Sequence, residues 1–311
     1  MSSLWVFPGQ GAQQPGMLHA LPDSAETRLC VAEASAVLEQ DALALDSLGA
    51  LSETRAVQLC LLITGVACAR MLLQRGHRPD YVSGLSIGAY AAAVVAGAIS
   101  FADALRLVGL RGELMQQAYP NGFGMTAILG LDLGTVEDLL AQVNSVEQPV
   151  YLANINAEAQ QVIAGSHSAM LQVAALAKKS GAACAKRLAV SVPSHCPLLE
   201  SPAATLAEAF AQVSVRPAQV RYLSSSSARL LNKPEQLRDD LANNMCRVVD
   251  WHNTLRTAYE RGVRLHLELP PGAVLTGLAR RVFEPGQAIA FQGARLDTLD
   301  AMLRQEASRD S

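Results

Sequence analysis

The sequence predicts an α/β protein: a mainly parallel sheet covered by helices on both faces, interrupted by a smaller inserted domain. Short apolar strand patterns alternate with longer helix patterns along most of the 311 residues, the arrangement in which helices cover both faces of a parallel sheet. Residues 81–83 form a short extended run, followed by Gly84-Leu85-Ser86-Ile87-Gly88 and a small-residue helix pattern over 89–96. Strand, tight turn and helix thus follow one another with a serine at the turn. The texture then changes over residues 123–189, where the order becomes β-α-β-β-α-β, that of a ferredoxin-like module. The predicted domains are therefore 1–122 with 190–311, and the insert 123–189.

The elements follow in order. Residues 4–7 read as a buried strand ending at Pro8, and a glycine-rich turn, Gly9-Gln10-Gly11-Ala12-Gln13, comes next. Apolar residues at helical spacing predict helices over 26–39, 55–74 and 101–118. Asn121-Gly122-Phe123-Gly124 is a breaker cluster that opens the insert. Within the insert the strands are 125–129, 150–153, 161–164 and 184–188, with helices 135–143 and 169–179. Helix 197–213, strand 220–223, helices 234–244 and 251–261, strand 264–268 and helix 273–281 complete the larger domain. The last dozen or so residues read as a frayed helix and tail.

Half the residues are hydrophobic, 17% are charged and the net charge is −3, which excludes a disordered chain and a basic nucleic-acid-binding surface. The N-terminus has no basic run before its short apolar segment, so no signal peptide is expected. The longest apolar stretches, such as 59–69, are interrupted at Thr64 and Gly65 and read as too short to span a membrane. Six scattered cysteines without a C-x-x-C pair indicate reduced thiols, no metal site and a cytoplasmic location.

Glycines flanking the 84–88 turn permit a strained strand-to-helix corner and leave the Ser86 hydroxyl near the free N–H groups of the following helix. A serine needs an adjacent base to act as a nucleophile at neutral pH. Of the six histidines, His195 suits best, because Pro193 and Pro197 fix the loop that carries it; alone it also reads as a solvated loop residue. Gln10 follows the first strand, where loops gather around the ligand crevice of a parallel sheet, and reads either as an N–H donor or as part of a plain glycine turn. Arg111 stands in a mostly apolar helix pattern, so it either clamps a substrate carboxylate or pairs with an acid such as Glu113.

Phe7-Pro8-Gly9-Gln10-Gly11, the turn at Ser86, Arg111 with Gly112 and Met115, Val192-Pro193-Ser194-His195, and Pro271-Gly272 with Leu275-Thr276-Gly277-Leu278 occur in the order found in malonyl-CoA:acyl carrier protein transacylases. The chain resembles that family from Val6 to about Val282. The resemblance implies an α/β hydrolase-like large domain with a ferredoxin-like insert. It implies Ser86 as nucleophile, His195 as base, and the main-chain N–H groups of Gln10 and Ile87 as oxyanion hole. Arg111 would pair with the free carboxylate of malonyl, with Gln58, Met115, Asn154 and Asn156 around the substrate. Malonyl-CoA is then the donor substrate, a phosphopantetheine-type thiol on a carrier protein the acceptor, and no bound cofactor is implied.

Two departures stand out. The family carries histidine before the nucleophile where this chain has Leu85, and Asn-Pro-Val-Gln-Trp where it has Arg247-Val248-Val249-Asp250-Trp251. Asp250 can orient His195 through its carbonyl, complete a Ser-His-Asp arrangement through its carboxylate, or cap the helix that follows. Gly84-Leu85-Ser86-Ile87-Gly88-Ala89-Tyr90 resembles the epsilon subunit of malonate decarboxylase, so the expected acceptor is that enzyme's carrier subunit. The alternatives are malonyl transfer for fatty-acid or polyketide synthesis, a serine thioesterase or hydrolase, and a silent docking subunit.

Overall fold

The computed structural model describes residues 2–284 and 286–308. Its strands, in chain order, are β1 (Ser2–Phe7), β2 (Tyr81–Gly84), β3 (Phe123–Leu129), β4 (Val150–Ala157), β5 (Gln160–Ser166), β6 (Cys184–Arg187), β7 (Arg221–Leu223), β8 (Leu230–Leu231), β9 (Val249–Asp250), β10 (Val263–Glu268) and β11 (Gln287–Ala290). One sheet has the order β11-β10-β1-β2-β7-β8, and only its β7–β8 edge pair is antiparallel. Successive side chains of a strand point to opposite faces. Accordingly Trp5 and Phe7 of β1 join one apolar core, while Leu4 and Val6 join another on the far side. The predicted parallel sheet with helices on both faces is therefore present.

The long helix Thr54–Gln74 forms the centre of the larger core. It runs through Thr64 and Gly65, where the sequence reading broke the apolar run. Gly65 lets the helix pack closely on β1, since a Cβ there would stand 2.9 Å from the Phe7 ring. By length and composition the helix is apolar enough to cross a membrane, but 89% of its apolar window is buried against the rest of the fold. It is a core helix.

The second sheet has the order β6-β3-β5-β4-β9. Its first four strands are antiparallel and, with helices Leu133–Val143 and His167–Lys179, follow the β-α-β-β-α-β order expected for 123–189. The fifth is a correction. Strand β9 comes from outside that segment and pairs in parallel with Asn154 and Ile155 of β4. A two-residue strand carries no periodic signal, so only the fold reveals it.

The C-terminus also differs from expectation. Leu296–Ser308 is a helix whose Leu299 and Leu303 are buried in the larger core. Asp300 of this helix accepts from Arg75 Nε at 3.0 Å and lies 2.8 Å from His77 Nε2. The helix is anchored by partners more than 200 positions away, which no local pattern announces.

Candidate active site

Strand β2 delivers Ser86 to a corner that only glycine-flanked chain can make. A Cβ on Gly84 would stand 2.0 Å from the Gly88 carbonyl carbon, and one on Gly88 would stand 2.1 Å from the Phe7 carbonyl oxygen. Ser86 itself sits at φ 56°, a left-handed conformation costly for any residue with a Cβ. The corner turns its hydroxyl away from the sheet and toward His195, whose Nε2 is 2.8 Å from Ser86 Oγ.

His195 is held by three main-chain carbonyls of the 244–247 segment. Its main-chain N–H donates to the Met245 carbonyl at 2.7 Å. Its Nδ1 lies 2.7 Å from the Asn244 carbonyl oxygen and 3.2 Å from that of Arg247. Carbonyl oxygens only accept, so Nδ1 carries the proton and Nε2 is left bare to accept from the serine hydroxyl. Burial, together with the charge of Arg111, lowers the imidazole to about 4 and keeps it neutral.

Asp250 takes no part in this arrangement. Its carboxylate accepts from the main-chain N–H of Asn253 at 3.1 Å and from Asn253 Nδ2 at 2.8 Å, and its carbonyl accepts from Thr254 Oγ1. Asp250 is the N-cap of helix Trp251–Glu260. Neither expected orienting role holds; the free N–H groups of that helix claim the carboxylate, and the carbonyls of Asn244 and Arg247 reach the imidazole first.

Arg111, on helix Phe101–Ala118, is fully buried behind Ser86. Its Nη1 donates to Gln58 Oε1 at 2.7 Å, and its Nη2 donates to Asn244 Oδ1 at 3.1 Å and to Ser86 Oγ at 3.3 Å. Gln58 in turn donates from Nε2 to the Met115 sulfur at 3.3 Å, which fixes the direction of its amide. The alternative pairing with Glu113 is not made, because Glu113 binds Arg55 at 2.8 Å. Desolvation lowers the guanidinium to about 10, still far above neutrality, so Arg111 remains a cation.

A cleft of about 330 Å³ opens in front of Ser86 and His195, between the two sheets. Gln10 and Leu85 line one wall, and Asn154 and Asn156 of β4 line the other. The Oδ1 atoms of both asparagines are buried without a partner. The main-chain N–H groups of Gln10 and Ile87 donate to no acceptor among the described residues. Ser86, His195, Gln10, Asn154 and Asn156 therefore share the cleft, whereas Arg111, Gln58 and Met115 form the layer behind it. Asn244 is the residue that sequence reading missed. It ends a helix in a plain Asn243-Asn244 pair, and its contacts arise from folding alone.

The family model for the acyl transferase domain matches residues 4–303, nearly the whole of this fold. The chain belongs to that family, and within it to the malonyl-CoA:acyl carrier protein transacylases. It is 38% identical over 296 residues to the malonyl CoA-acyl carrier protein transacylase of Escherichia coli strain K12, covering 92% of this chain and 94% of that one. It is 33% identical over 289 residues to the enzyme of the same name from Bacillus subtilis, covering 89% of each. Among solved structures, FabD from Acinetobacter baumannii superposes with a TM-score of 0.92 at 36% identity over 99% of both chains. A malonyl-transacylase solved in complex with a type II PKS acyl-carrier protein superposes with a TM-score of 0.90 at 36% identity, over 98% of this chain and 100% of that one.

Proposed function

We propose that the protein moves malonyl from malonyl-CoA to the thiol of an acyl carrier protein through a malonyl ester on Ser86. The observation that carries this reading is that one hydroxyl, Ser86 Oγ, meets a neutral imidazole at 2.8 Å and a buried guanidinium at 3.3 Å. Ser86 Oγ attacks the thioester carbonyl as its proton passes to His195 Nε2. The N–H groups of Gln10 and Ile87 receive the oxyanion. The intermediate collapses, the C–S bond breaks, and the imidazolium returns the proton to the coenzyme A thiolate. The carrier thiol then repeats the sequence on the ester, with His195 taking its proton and Ser86 leaving. The three-carbon acyl group on Oγ folds its carboxylate back onto Arg111, a cation with no acidic partner. Asn154 and Asn156 offer acceptors to the pantetheine arm along the cleft.

For the carrier, the relatives favour fatty-acid or polyketide synthesis over malonate decarboxylase. The decarboxylase branch rests on the likeness of residues 84–90, mainly Leu85, and on the altered segment at Asp250, whereas the relatives named above are malonyl CoA-acyl carrier protein transacylases. A serine thioesterase shares Ser86 and His195 but has no use for an uncompensated guanidinium behind the nucleophile. We read residues 1–122 and 190–311 as an α/β hydrolase-like body and 123–189 as a ferredoxin-like insert forming the far wall of the cleft, in a cytoplasmic enzyme.

Intact mass after brief mixing with malonyl-CoA tests the chemistry. A malonyl-sized increment is expected on the wild type and not on Ser86→Ala, and it should discharge to a fatty-acid or polyketide carrier. Discharge only to the decarboxylase carrier would reverse the choice of acceptor. Steady release of free malonate without acylation of any carrier would establish a hydrolase.

A further inference from the structure

We propose that the Asn244 side chain sets the preference for acyl groups bearing a free carboxylate, as a neutral positioning residue that holds Arg111 charged and uncompensated behind Ser86. The proposal rests on the malonyl-transfer reading.

Arg111 is fully buried, yet each of its hydrogen-bond partners is neutral: Gln58, Ser86 and Asn244. Its Nε has no partner among the described residues. A buried cation is ordinarily matched by a carboxylate, because an unpaired charge away from water is costly. Here no carboxylate among the described residues pairs with it, and the matching charge is left for an acyl group to supply.

Asn244 is placed to maintain that condition. It is 1% exposed, and its amide spans two groups at once. Nδ2 donates to the Ser86 carbonyl at 3.3 Å, and Oδ1 accepts from Arg111 Nη2 at 3.1 Å. The orientation is decided by chemistry: the Ser86 carbonyl can only accept, the guanidinium can only donate, so a flipped amide loses both bonds. The same residue's main-chain carbonyl accepts the hydrogen bond from His195 Nδ1 at 2.7 Å. Nucleophile, base and cation are thus tied to one residue, and the cation is tied by an oxygen without net charge. An aspartate there would have nearly the same shape, keep the acceptor for Arg111 and neutralise it.

The test is Asn244→Asp, read as the ratio of malonyl to acetyl acyl-enzyme formation in single turnovers. Charged hydrogen bonds of this kind correspond to roughly 10- to 100-fold, so the ratio should fall by about that factor in Asn244→Asp. Asn244→Ala, which keeps the main-chain carbonyl for His195, should lower the ratio by about tenfold and serves if the aspartate variant does not fold. Protection against thermal unfolding by free malonate, compared with acetate, is the second readout and needs no catalysis. A wild type that forms malonyl-enzyme, with variants whose ratio is unchanged, would overturn the Asn244 assignment alone. A wild type that forms none, yet is protected by malonate in a way Asn244→Asp abolishes, would overturn the transfer reading and support the assignment. Neither acylation nor malonate protection would overturn both.

Discussion

Ser86 and His195 meet at 2.8 Å, and both hold the left-handed backbone conformation, at φ 56° and φ 64°. Each such non-glycine residue costs on the order of 1 kcal/mol or more and persists only where its surroundings over-determine it. The surroundings are visible here. The corner at Ser86 is closed by glycine contacts to β1, and the His195 loop is pinned by Met245, Asn244 and Arg247. The strain aims both side chains at one point in the cleft before any substrate arrives.

The pH dependence of acylation should reflect that burial. His195 is lowered from 6.5 to about 4, so the neutral form needed as base persists well into acid. Single-turnover formation of malonyl-enzyme should stay nearly level from neutrality to roughly pH 5 and fall around pH 4. The stability effect has a defined sign: the unfolded histidine binds a proton below about 6.5, the folded one only near 4, so stability drops as pH falls through that window. An acylation inflection near pH 6.5 would contradict the buried neutral base.

Arg111→Met should separate binding of the acyl carboxylate from stability. Malonyl transfer is expected to fall by about 100-fold, with acetyl transfer much less affected. Thermal stability should be unchanged or higher, because the substitution removes a buried cation without an acidic partner. Arg111→Lys should not restore malonyl transfer, since an ammonium lacks the planar fork that reaches Gln58, Asn244 and the acyl group together. Equal losses for malonyl and acetyl would remove the carboxylate role.

Asp250→Ala should behave as the loss of a helix cap. A stability decrease of about 1 kcal/mol is expected, with single-turnover acylation within about twofold of the wild type. A collapse of acylation with little change in melting temperature would return Asp250 to the catalytic arrangement.

Asp300→Asn should loosen the C-terminal helix. Its carboxyl is held low, at about 2, by hydrogen bonds from Arg75 and then His77, so the stability it contributes is present above its ordinary 3.8 and lost as pH falls toward 2. At neutral pH the variant should be less stable by about 1–3 kcal/mol, and the difference from wild type should vanish in acid. If denaturant melts at pH 7 and at about pH 1.5 show a difference of the same size, this charge is not the anchor.

Periodicity and turn chemistry are local properties, and they determined much of this protein. The buried strand over 4–7, the helix over 101–118 and the glycine corner at Ser86 depend on neighbouring residues, and all are found where the sequence places them. Motif order brought Ser86, His195 and Arg111 onto one list although they lie far apart in the chain. Tertiary structure decided what touches what. Main-chain carbonyls orient His195, and every residue carries one, so no sequence pattern distinguishes Asn244 and Arg247 from Asp250. Strand β9 and the anchored C-terminal helix depend on partners distant in sequence. The charge state around Arg111 was equally hidden: Glu113 stands two positions away yet binds Arg55, and whether a buried cation is compensated depends on which groups folding brings within a few ångströms of it.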